Sequence, residues 1–98
     1  MIDAQRSDGR LRLAVQADLT IYQVGELQAA IDAWLADPGD WLLDLSQVPE
    51  MDGAGLQWLL YLNQQRQAQG HGLTLGPLSA AVQAVLTLCP GTPLALAE

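Results

Sequence analysis

The 98-residue chain has no lysine, four arginines, one histidine and one cysteine, against eleven acidic residues and a net charge of −7. Each scarcity removes a class of function. Nucleic-acid binding requires a clustered positive surface, and Arg6, Arg10, Arg12 and Arg66 are too few to outweigh the acids. Attraction to anionic lipid head groups is weakened for the same reason. A lone Cys89 forms no intrachain disulfide, and among Val85, Leu86 and Leu88 it reads as a small buried hydrophobe rather than a reactive thiol. His71, flanked by Gly70 and Gly72, reads as a solvated turn residue rather than a catalytic base. One histidine and one cysteine do not assemble a zinc site. No catalytic residue, metal or cofactor is therefore expected, and the chain is not expected to be an enzyme.

Long apolar runs are missing too. Trp41-Leu42-Leu43 is interrupted at Asp44, far short of the ~20 apolar residues of a membrane-spanning helix. Met1 to Arg6 lacks the basic start and following apolar run of a secretory signal. The expectation is a cytoplasmic domain with no direct membrane insertion. Read plainly, the acidity serves solubility; the alternative is charge matching to a basic partner.

What is present is a core-forming composition. Half the residues are apolar and 15% are charged, enough for one compact domain spanning residues 1–98 and too little for two. Leu11, Leu13 and Val15 alternate with Arg12 and Ala14 as in a strand with one buried face, and a second short strand is expected over Gln16 to Leu19. Thr20 and Gln23 match a capping box, so a helix is expected from there, with Val24, Leu27, Ile31, Trp34 and Leu35 as its inward stripe. Asp37-Pro38-Gly39-Asp40 ends it.

Trp41 to Val48 reads as a central strand covered on both faces, and Pro49 closes its ladder. Asp52 is placed to cap a helix from Gly53 or Ala54 to Gln69, with Gly70 as the left-handed exit. Leu73-Thr74-Leu75 is a third clear strand, broken by Pro77. Ser79 caps a last helix containing Ala81, Val82, Val85, Leu86 and Cys89, and Leu94-Ala95-Leu96 adds a short edge strand. The order implies an α/β fold: a single mixed sheet of four to five strands with the helices packed on one face.

Two places invite chemistry. Asp44 and Asp52 bracket a tight strand-to-helix connection. They form either a carboxylate pair or two structural groups, Asp52 as a cap and Asp44 as an acceptor for loop backbone. The helix after Asp52 carries nearly two apolar stripes. Leu56, Leu59, Leu60 and Asn63 gather on one side, and Trp58, Tyr61 and Leu62 lie broadly opposite. Either its first half is wedged between the sheet and a neighbouring helix, or Trp58, Tyr61 and Leu62 form a docking surface, including one for self-association. Beyond Leu62 the helix, Arg66 included, is polar almost all round.

At Asp44-Leu45-Ser46, followed by Val48 and then Met51-Asp52-Gly53-Ala54-Gly55-Leu56, the chain resembles the STAS domain, the family of bacterial anti-sigma factor antagonists. Asp18-Leu19-Thr20-Ile21-Tyr22, the chain length and the element order agree. The resemblance implies a partner-switching interaction module whose docking surface comprises Asp52, Gly53, Ala54, Gly55, Trp58, Tyr61 and Leu62, with Asp44 and Ser46 structuring the loop. It implies a protein partner: a serine-kinase-type anti-sigma factor, another signalling protein, or the ATPase of a phospholipid-transport ABC complex.

In that family the residue after the second Asp is usually a Ser or Thr that a partner kinase phosphorylates. A helix start tolerates the resulting dianion through its free N–H groups and dipole. Here that position is Gly53, which has no hydroxyl, so no phosphorylation is expected there. The nearest alternative hydroxyls are Ser46, which on a structural reading bonds loop backbone, and Thr20. The glycines at 53 and 55 are further expected to let a partner approach closely.

Overall fold

The structure, a computed structural model, describes residues 1–97. Its elements are β1 (Ile2–Ser7), β2 (Arg10–Val15), α1 (Val24–Asp32), β3 (Trp41–Leu45), α2 (Gly53–Ala68), β4 (Leu73–Leu78), α3 (Ala80–Leu88) and β5 (Ala95–Leu96). The strands lie in the order β1-β2-β3-β4-β5, the first pair antiparallel and the others parallel. Each crossover steps to the adjacent strand in the same direction, so right-handed connections put all three helices on one face. This is the expected mixed α/β sheet.

The core lies between that face and the helices. Leu11, Leu13 and Val15 of β2, Trp41, Leu43 and Leu45 of β3, and Leu73 and Leu75 of β4 meet Leu27, Ile31, Leu59, Leu62 and Val82 from the helices. The central strand is therefore covered on one face, not on both. Leu42 aligns with Arg12 and Thr74, and Asp44 with Ala14, on the side away from the helices.

Several local expectations give way to tertiary contacts. The strand preceding β3's neighbour is β1 at Ile2–Ser7 rather than Gln16 to Leu19. Only Ile2 and Ala4 of β1 pack on the core, so its pattern is faint. Its signal was the turn: Asp8 and Gly9 both have positive φ, 52° and 75°, as a two-residue hairpin loop demands. Of Gln16 to Leu19, only Leu19 makes a bridge, to Met51. Helix α1 starts at Val24 with Gln23 at its cap and no side-chain capping bond. The Thr20 carbonyl instead accepts the N–H groups of Gln23 and Val24, while the Ile21 N–H is bonded to Asp52. Pro77 does not break β4. The strand runs through it at an irregular stretch of ladder and Leu78 pairs with Leu45. Cys89, at the end of α3, is half-buried rather than fully buried.

Arg66 is the largest departure from the polar reading of α2. It is fully buried, with its guanidinium 4.0 Å above the Trp41 ring. It donates to the carbonyls of Leu35 and Asp37 at 3.3 Å each, to that of Gly39, and to Gln69 Oε1. Burial lowers its pKa, opposed by the charges of Asp37 and Asp40. One side chain thus pins the far end of α2 to the connection between α1 and β3.

Trp58 and Leu62 also belong inside, at 6% and 0% exposure. Two of the three residues in the second apolar stripe of α2 are therefore wedged against its neighbours, Tyr61 being the exception, and the Trp58 indole N–H donates to Gln28 Oε1 of α1 at 2.9 Å. Neither Trp58 nor Leu62 forms an exposed surface. Trp58→Ala is expected to lower unfolding free energy by about 3–5 kcal/mol, as for other buried aromatic truncations, measured by urea denaturation. A loss below about 1 kcal/mol would return Trp58 to the surface.

Candidate docking site

The start of α2 is built around Asp52. With β-region dihedrals it accepts the Gly55 N–H on Oδ1 and the Ile21 N–H on Oδ2, both at 3.0 Å. One carboxylate therefore caps α2 and holds the loop leading to α1. The amides of Ile21 and Gly55 outweigh the residue's desolvation and keep its pKa below the ordinary carboxylate value.

Backbone contacts tighten the same corner. The Leu19 N–H donates to the Glu50 carbonyl at 2.9 Å, and the Asp52 N–H donates to the Leu19 carbonyl at 3.0 Å. Gly55 lies so close to Leu19 that a Cβ placed on it would sit 2.1 Å from the Leu19 oxygen. Its bareness thus serves this internal contact, correcting the expectation that it admits a partner. Around Gly53 the situation is opposite: an added Cβ meets nothing within 4 Å.

Asp44 and Asp52 are not partners. Asp44 is buried on the open side of the sheet, accepting the Ser46 N–H at 2.9 Å and the Ser46 hydroxyl at 2.6 Å and pairing with Arg12. Burial pushes its pKa up, but the Ser46 donors and the Arg12 charge more than reverse this, leaving it lowered. Ser46 thus bonds a carboxylate rather than loop backbone, and both residues hold the loop after β3.

Of the seven residues expected to dock a partner, the structure brings Asp52, Gly53 and Ala54 together at one accessible corner. Tyr61, 51% exposed, lies seven residues beyond Ala54 and so on nearly the same stripe of α2. Gly55, Trp58 and Leu62 are buried. Sequence reasoning missed a groove of about 670 Å³ beside this corner, walled by Asp18, Glu50 and Met51 on one side and by Ala81, Ala84 and Val85 of α3 on the other. Tyr22 stands at its edge, 87% exposed. No periodicity marks this groove, because three segments distant in sequence form it.

Gly55→Ala is expected to destabilise the fold by at least about 2 kcal/mol in urea unfolding, because the clash is with backbone and cannot be relieved by a rotamer change. Both carboxyls titrate lower in the folded chain than when unfolded. Their stabilisation is complete above about pH 4 and is lost as the pH falls through the lowered folded values. Asp44→Asn should therefore be less stable at neutral pH and lose less on acidification. An acid limb as steep as the parent's would remove Asp44 from that role.

The family model described as Mlab, STAS domain matches residues 2–89. Comparison with curated proteins finds no match. A structure from Thermotoga maritima, named as an anti-sigma factor antagonist, superposes with a TM-score of 0.84 at 18% identity, covering 99% of this chain and 86% of that one. The anti-sigma factor antagonist SpoIIAA in its unphosphorylated form gives 0.74 at 15% identity, covering 100% and 89%. At these identities the structural likeness establishes the fold, and the family match agrees with it along nearly the whole length. The chain belongs to the STAS domain family.

Proposed function

We propose that the chain is a non-enzymatic protein-interaction module of the anti-sigma factor antagonist type. It docks its partner at the start of α2 and is permanently competent to do so. The observation that carries this reading is Gly53, exposed and unobstructed beside the capping Asp52. A switch by esterification needs a hydroxyl at that point, and glycine has none. The two nearest alternatives lie off the helix tip: the Ser46 hydroxyl is bonded to Asp44, and Thr20 is in the loop after β2. The partner in this reading is a serine-kinase-type anti-sigma factor or an analogous signalling protein.

A second reading, an accessory subunit docked on the ATPase of a phospholipid-transport ABC complex, has its own support. The matching family model is described by Mlab rather than by an anti-sigma antagonist. A constitutive subunit also has no need of a hydroxyl at residue 53.

The test uses tagged parent and Gly53→Asp chains as baits in the native cell. The open space at residue 53 and the helix dipole both accommodate an aspartate, so stability should stay within about 1 kcal/mol of the parent. Capture of the partner should fall at least tenfold, and equal capture by both baits would sink the docking reading. The captured protein, kinase or ATPase, decides between the two contexts. Intact mass should stay unchanged after exposure to a captured kinase; a phosphate on Ser46 or Thr20 overturns permanent competence.

A further inference from the structure

The groove beside the start of α2 has two walls of different chemistry. From Gln67 to Ala97 the chain contains no Asp, Glu, Lys or Arg, so the α3 wall is uncharged. Helix α3 is apolar almost all round, yet only Val82 is fully buried. A helix of that composition is normally covered on more than one side. Ala81, Ala84 and Val85 present this surplus apolar surface to the groove.

The opposite wall is acidic and has no cation of its own. Asp18 and Glu50 line it, and neither forms an ion pair among the described residues. All four arginines are placed elsewhere. Arg6 pairs with Asp37, Arg12 with Asp44, and Arg66 is buried over Trp41. Arg10 sits beside Leu42 and Pro77, away from the groove. Asp52 spends its oxygens on the amides of Ile21 and Gly55. The groove therefore combines an uncompensated negative rim with an apolar wall, in a molecule of net charge −7.

Resting on the docking reading above, we infer that the occupant of this groove is an amphipathic helix of the protein partner, cationic on one side and apolar on the other. Its lysines or arginines face Asp18 and Glu50, and its apolar side chains lie on Ala81, Ala84 and Val85. This is helix-in-groove recognition with the orientation set by charge. The same field repels phosphate-bearing surfaces, so neither nucleic acid nor an anionic membrane fits the groove.

The test is a titration of the isotope-labelled full chain with two synthetic helical peptides, each with leucines on one face. One carries arginines on the other face and its counterpart carries glutamates there. The arginine peptide should shift the backbone amides of Asp18 to Gln23 and Ala81 to Val85 saturably. It should bind at least tenfold more tightly than the glutamate peptide and weaken as salt rises. The double variant Asp18→Asn, Glu50→Gln, altered only at the groove rim, should lose about tenfold in affinity. Ala84→Arg should abolish the shifts, with the dispersion of the remaining amides reporting that both variants are folded. Equal binding of the two peptides, shifts confined to other surfaces, or no response overturns the inference. A chain that loses its native partner on Gly53→Asp yet ignores the arginine peptide is still a docking module, and only the cationic helix is then wrong.

Discussion

Helix α2 can begin where it does only because residue 55 has no side chain. The first turn of the helix rests directly on the backbone of Leu19, at a distance no Cβ would tolerate. That contact draws the loop after β2 under the helix. The Leu19–Met51 bridge then joins two loops that are far apart in sequence, and Asp52, at the end of the second, bonds Ile21 of the first and Gly55 of α2 at once. With the corner closed in this way, Gly53 and Ala54 are left outside as the accessible tip. That tip is thus the outer surface of a tightly packed joint.

The charges divide the molecule into functional districts. Three of the four arginines are consumed in intramolecular contacts: one ties the end of α2 to the connection between α1 and β3, one orders the loop after β3 through Asp44, and one braces β1 against the segment after α1. What remains at the groove is negative on one wall and uncharged on the other. Long-range fields of this kind choose partners and set encounter rates more than they add affinity, while the apolar wall supplies the area. In the proposed complex a partner is therefore selected by sign and held by packing.

Membership of the STAS family places the fold without fixing the chemistry, because function belongs to the site rather than the scaffold. Residue 53 illustrates the point. The scaffold presents it at the tip of a helix, where backbone N–H groups and the dipole favour an anion, yet the residue there offers no atom for a phosphate to join. In the proposed function the same tip therefore serves standing contact rather than reversible control.

Much was legible in the sequence wherever a signal is local. The alternation in Leu11 to Val15, the Asp52 and Ser79 caps, the Gly70 exit with φ of +80°, and the sheet class implied by the element order depend on residues a few positions apart. The accessible tip at Asp52 to Ala54 was legible for the same reason. Other features depended on neighbours distant in the chain. Arg66 reads as a solvated charge until the carbonyls of Leu35, Asp37 and Gly39 converge on it. Trp58 and Leu62 look like a second surface until α1 covers the indole. Gly55 reads as room for a visitor until Leu19 takes that room, and the groove exists only once α3 stands opposite Asp18 and Glu50. Periodicity records which side of an element is apolar. Only the folded arrangement decides what fills the space beside it, because burial depends on all the elements that converge there.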